Sequence, residues 1–220
     1  MDVDVFVDGA YNEARLQLEA LLAIYMRAKS FQSYPTSRLV EAHEDEHLEY
    51  LFLPHMVAIM EKFSHIVLLD LIEYLNPAGG FVLTPLWDET AKATTKSWDR
   101  CRGRWKEWFG VKFGDYEDLL HATSTSWDED INVLISVRNT IMHGRGFVTR
   151  VQRRDQNYVN RLAQLGLAAN PADRLLIVDS QMVTYQKWLD AFIFWLGERA
   201  KTSAKAESVM TAPALVPAVP

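Results

Sequence analysis

Arg138, Asn139 and His143 lie in the segment Ile135-Ser136-Val137-Arg138-Asn139-Thr140-Ile141-Met142-His143-Gly144. Together they offer a permanent cation, a polar orienting group and an acid–base group that titrates near neutral pH. On a helix advancing ~100° per residue, Trp127, Ile131, Leu134, Arg138 and Ile141 fall on one stripe. Arg138 therefore sits where an amphipathic helix ordinarily carries Leu. A guanidinium there must reach an anion, a partner carboxylate or water. Glu61, within a long apolar stretch, is the carboxylate expected to hold it. Asn139 and His143 are four residues apart and share a neighbouring face. Arg138 and His143 are separated by ~140°, so their joint action needs the long Arg side chain, a loosened last turn or a second subunit. A snorkelling or ion-paired Arg and a helix-ending surface His would satisfy the same spacing.

Two other places have residue types suited to chemistry. His43-Glu44-Asp45-Glu46-His47 matches H-E-x-x-H, whose two His residues can bind zinc from one helix face while Glu acts as base. Its middle positions are acidic, and no third-ligand motif follows. With Glu41 and Glu49 it reads as a solvated acidic face, so no metal site is expected. Cys101 stands among Arg100, Arg102 and Arg104, which would lower its pKa if they face it, but no His–Cys motif accompanies it.

The elements that must position Arg138 and His143 are mostly helical. The first seven residues alternate apolar and charged, as a short extended arm would, and a helix follows from about Ala10 to Lys29. Tyr34-Pro35-Thr36-Ser37 is a turn with an N-cap signal. A second helical region runs from about Arg38 to Tyr74, with Pro54 marking a break or kink. Its half from Met56 to Leu75 is apolar on most sides and reads as the central buried helix. Asp88 can cap a Trp-rich helix reaching Phe109, and a further helix carries Tyr116, Leu119 and Leu120. Ser126-Trp127-Asp128-Glu129 is a capping box that starts the Arg138 helix, and Gly144 and Gly146 stop it. Phe147–Val151 and Leu175–Asp179 are β-like segments expected to pair as a hairpin. Ser180 caps a last helix through Trp188, Phe192 and Trp195. The expected division is an N-terminal arm and helix over 1–35, a helical domain over 36–200, and a flexible Ala/Pro-rich tail over 201–220.

With this order of elements, Arg138-Asn139-x-x-x-His143 resembles the motif of the HEPN (higher eukaryotes and prokaryotes nucleotide-binding) family, an Arg, a polar residue and a His a few positions on. The likeness covers roughly residues 50–200. It takes in the long apolar helix with Glu61, the Trp-rich helix, the short strands after the motif and the final amphipathic helix. The resemblance implies a mainly all-α bundle with a small β-hairpin after the motif helix. It also implies a homodimer whose two motif helices face each other. Its implied activity is metal-independent endoribonuclease cleavage in a toxin–antitoxin or anti-phage defence setting, with no cofactor. An antitoxin or sensor protein is the implied partner. The alternative it leaves open is a non-catalytic module that binds nucleotide, RNA or a partner protein. In the variant paired with a nucleotidyltransferase antitoxin, a Tyr follows the His. Here Gly144-Arg145-Gly146 stands instead, so that pairing is not expected.

Arg138, Asn139 and His143 are the catalytic residues the resemblance implies. RNA supplies its own nucleophile, the 2′-hydroxyl, so cleavage needs a proton acceptor, a proton donor and positive charge on the developing phosphorane. The products would carry a 2′,3′-cyclic phosphate and a 5′-hydroxyl. Arg145, Arg150, Arg153 and Arg154 follow the motif as a basic tract suited to an RNA backbone.

Composition bounds these readings. The 220 residues carry a formal net charge of −6, so RNA binding must rest on a local basic patch. Hydrophobic residues make up 49% and charged residues 24%, which excludes wholesale disorder. One cysteine excludes a disulfide framework within the chain. The acidic start Met1-Asp2-Val3-Asp4 lacks the basic region of a signal peptide, and the apolar runs near Leu51–Met60 and Ile66–Ile72 are short. The expectation is a cytoplasmic protein that does not engage a membrane.

Overall fold

The computed structural model describes residues 2–32, 48–75, 97–116, 127–169 and 173–211. The acidic H-E-x-x-H stretch, the turn at Tyr34–Ser37, Asp88, Leu119, Leu120 and Ser126 lie outside these residues. The described chain is mainly helical, as expected. Its elements are α1 (Val3–Gln32), α2 (Leu48–Leu75), α3 (Trp98–Phe109), a 3-10 turn (Phe113–Asp115), α4 (Trp127–Gly144), α5 (Arg150–Arg154), α6 (Gln156–Gln164), β1 (Leu167–Ala169), β2 (Leu175–Ile177) and α7 (Asp179–Thr211).

The extended arm expected at the start is instead the first two turns of α1. Asp2 Oδ1 accepts from the Asp4 amide at 3.0 Å and caps the helix. Val3, Val7, Ala14, Leu18 and Tyr25 then form its buried stripe. Local alternation lost to this longer period, which buries more apolar surface. The helix α2 runs through Pro54 without interruption. Leu53, Met56, Val57, Met60, Phe63, Val67, Leu68 and Leu71 form one buried face, within an arc of ~140°. By length and composition α2 could cross a bilayer, contrary to the short apolar runs read from sequence, and 56% of that span is buried inside the protein.

The helices α1, α2 and α7 pack together as the centre of the bundle. Where α7 crosses α1, Gly197 lets the backbones approach, because a Cβ there would lie 3.2 Å from Val7 Cγ1. Ala200 and Ala204 extend the buried stripe of α7. Residues 201–211, expected as part of a flexible tail, are therefore the last turns of this helix. Lys201 Nζ reaches Asp8 at 2.5 Å and Lys205 Nζ reaches Asp4 at 2.8 Å. Ser97 caps α3 by accepting from the Arg100 amide, and Trp105 Nε1 donates to Ser64 O of α2 at 3.2 Å. Tyr116, expected on a helix, follows the 3-10 turn as extended backbone and packs edge-on against Phe192.

The expected hairpin is rearranged. β1 and β2 pair antiparallel, with Ala168 opposite Leu176. Phe147 makes only an isolated bridge to Arg174 on the other side of β2. The chain from Arg150 turns helical because Thr149 and Gln152 form a capping box, which ends the strand-like run after Val148.

Candidate active site on the motif helix

Ile131, Leu134 and Ile141 of α4 are buried, and Arg138 lies half-buried among them. Its Nη2 donates to both carboxylate oxygens of Glu61 on α2, each at 2.6 Å. The side chains are 26% and 13% exposed, so the pair is largely removed from water. Burial pushes the Glu61 carboxyl above its ordinary range, and the Arg138 guanidinium offsets that only in part. The Arg138 Nε is enclosed without a hydrogen-bond partner.

Asn139 and His143 are exposed on the adjacent face. The structure therefore presents two of the three motif residues together and holds the third around the helix, against Glu61. Beyond His143 the helix ends in a bond from the Gly146 amide to Thr140 O at 3.0 Å. Arg145 takes φ 51° and Gly146 takes φ 83°. A non-glycine residue in the left-handed region costs ~1–2 kcal/mol, so packing around the turn must hold it. Gly146 lies against the Tyr50 ring, whose hydroxyl donates to Leu175 O. The Arg174 guanidinium sits 5.3 Å from the centre of the same ring.

The basic tract is divided. Arg145, Arg150 and Arg154 are exposed, whereas Arg153 forms an ion pair with Asp173. Sequence reading missed Gln152, whose Nε2 donates to Ser136 Oγ and Thr140 Oγ1, both at 3.1 Å, and so docks α5 on α4. The Thr149-x-x-Gln152 spacing was the available signal. Cys101 is corrected: burial pushes its thiol pKa up, and the nearby Glu61 carboxylate adds to that, so the surrounding arginines do not activate it. His65, one turn from Glu61 on α2, has its pKa lowered by burial, and its Nε2 is enclosed without a partner. Among the described residues no cluster of His, Cys, Asp and Glu could hold a metal ion.

No protein-family model, curated protein or solved structure matches this chain.

Proposed function

We propose that this chain is a HEPN-type, metal-independent endoribonuclease that works as a homodimer, as a toxin or anti-phage defence effector restrained by an antitoxin or sensor. The observation that carries the reading is a guanidinium locked by Glu61 beside an open Asn139–His143 face. A purely structural ion pair accounts for Arg138 and Glu61, but leaves the exposed Asn139 and His143 without a role.

In the proposed reaction the 2′-oxygen attacks the adjacent phosphorus and the bond from phosphorus to the 5′-oxygen breaks. One His143 removes the 2′-hydroxyl proton, and the His143 of the second copy returns a proton to the leaving 5′-oxygen. Arg138 Nη1 receives the charge that grows on the phosphoryl oxygens. Asn139 orients the imidazole or the phosphate. A second copy would supply the other His143, since one helix separates its own Arg138 and His143 by ~140°. Arg145, Arg150 and Arg154 would carry the backbone of the strand.

The test is cleavage of a mixed tRNA and mRNA pool in excess EDTA, comparing wild type with His143→Ala at equal folded concentration. Wild type should leave 2′,3′-cyclic phosphate ends, and the variant should lose at least ~100-fold in rate. Equal rates would overturn the assignment of His143. No cleavage by either protein, with RNA still bound, would favour the non-catalytic binding module.

A further inference from the structure

We propose that the cleft between α4 and α6 is a nucleobase subsite, holding one base of an RNA strand that lies along α4. The strand placement rests on the endoribonuclease reading; the base-binding chemistry of the cleft does not. The cleft has a volume of about 550 Å³, within the range that holds small organic ligands. Asn132 lines it from α4, and Asn157, Tyr158, Asn160 and Gln164 line it from α6.

Position links the cleft to the motif. At 100° per residue, Asn132, Ser136, Asn139 and His143 fall within ~60° of one another around α4. They form one outward polar stripe, and a rise of 1.5 Å per residue sets Asn132 about 10 Å from Asn139 along the axis. Gln152 borders this stripe through Ser136 and Thr140, while Arg150 and Arg154, two residues to either side of it on α5, are exposed. A strand with its scissile phosphate at His143 would therefore bring a base a few nucleotides away to the cleft.

Chemistry selects the occupant. Each Asn or Gln amide supplies donors and an acceptor, the pairing that base edges require. Tyr158 adds an aromatic ring for stacking. Its hydroxyl is enclosed and, among the described residues, makes no hydrogen bond. Charge argues against a phosphate in the cleft itself. Arg161 is tied to the buried Asp130 at 3.2 Å. The start of α6 is filled by the Asp155 carboxylate, which accepts from the Asn157 and Tyr158 amides. Asn160 Oδ1 already accepts from Gln156 Nε2, leaving its NH2 group as the donor. The charged residues of the lining, Asp155 and Arg161, are engaged within the protein, and the rest of the polar lining is amide and phenol.

The experiment is titration of the purified protein with adenosine, guanosine, cytidine and uridine, followed by NMR of the Asn and Gln side-chain amides. A pentaribonucleotide and the matching 5′-mononucleotide are titrated in parallel. One nucleoside should shift the cleft amides, and Asn160→Ala/Gln164→Ala should weaken it at least ~10-fold with unchanged Tm. Tyr158→Leu, which removes the ring, should weaken it too. In cleavage the double variant should lose base preference at a fixed distance from the cut. No shift with any nucleoside, or equal binding by the variants, would overturn the subsite. A mononucleotide that binds as tightly as the pentamer would overturn the strand placement. Nucleoside binding without RNA cleavage would leave the subsite standing and remove the nuclease reading, and cleavage with no nucleoside shift would do the reverse.

Discussion

Replacing Glu61 by Gln removes a charge and leaves the shape of the side chain. The amide keeps one oxygen for Arg138 Nη2, but it sets an NH2 group where the second carboxylate oxygen accepted at 2.6 Å. Arg138 is then a largely enclosed cation without its anion. Breaking a fully buried pair costs ~3–5 kcal/mol. Arg138 retains 26% of its exposure and can partly turn to water, so the expected loss is about 1–3 kcal/mol. In a chain of this size that lowers Tm by roughly 2–12 °C. The cleaner quantity is the coupling from a cycle of Glu61→Gln, Arg138→Met and the double variant, measured by urea unfolding. The double variant should be more stable than the two single losses added together, by about 1–3 kcal/mol. The same Glu61→Gln variant should cleave RNA more slowly at saturating substrate, because Glu61 positions the guanidinium without touching the phosphate. A coupling below ~0.5 kcal/mol would refute the claim that Glu61 holds Arg138 in place, and with it the structural support for the proposed phosphate site.

Two further outcomes follow from local features. His65→Leu should alter the pH dependence of stability, because burial depresses the folded-state pKa below the ordinary 6.5. The unfolded chain then takes up the proton first, so wild type keeps its stability above pH 6.5 and loses it as pH falls toward the depressed value. Urea unfolding at pH 5, 6, 7 and 8 should show the variant gaining on wild type as pH falls, by at most ~1.4 kcal/mol per pH unit; an equal difference at pH 5 and pH 8 would dispose of this account. Gly146→Ala should destabilise by roughly 2–4 kcal/mol, since it combines a left-handed backbone with overpacking. Its Cβ would lie 2.3 Å from Tyr50 Cε2. Gly144→Ala is the control, with nothing within 4 Å of the added carbon, and a urea midpoint shifted as far as that of Gly146→Ala would contradict the reasoning.

Most of the helical frame was legible because its core repeats at helical spacing. Arg138 was legible as a charge out of place on an apolar stripe, and Glu61 as the carboxylate that would answer it. Less visible was any feature in which a tertiary contact outweighed a local pattern. Val3-Asp4-Val5 alternates like a strand, yet Asp2 caps it and Val3 and Val7 both reach the core. Phe147 to Val151 has strand propensity, but the Thr149–Gln152 box turns it helical. The Ala-rich continuation after Lys201 lacked large apolar residues and still packs, because α1 approaches α7 closely enough to need small ones. The α4–α6 cleft was not legible at all, since it depends on α5 and α6 folding back over α4, a path no single segment encodes.

The ties between α1 and α7 bear on biogenesis. Asp4 and Lys205 are 201 positions apart, and Asp8 and Lys201 are 193 apart. The parts of α1 and α2 that α7 covers stay open until it has been made, and the residues that carry Arg138 and His143 emerge first. Loops of that length close slowly. On the proposed nuclease reading, a bundle that closes only after residue 205 is made would delay activity while the chain is still on the ribosome. Synthesis order itself would then act as a safeguard.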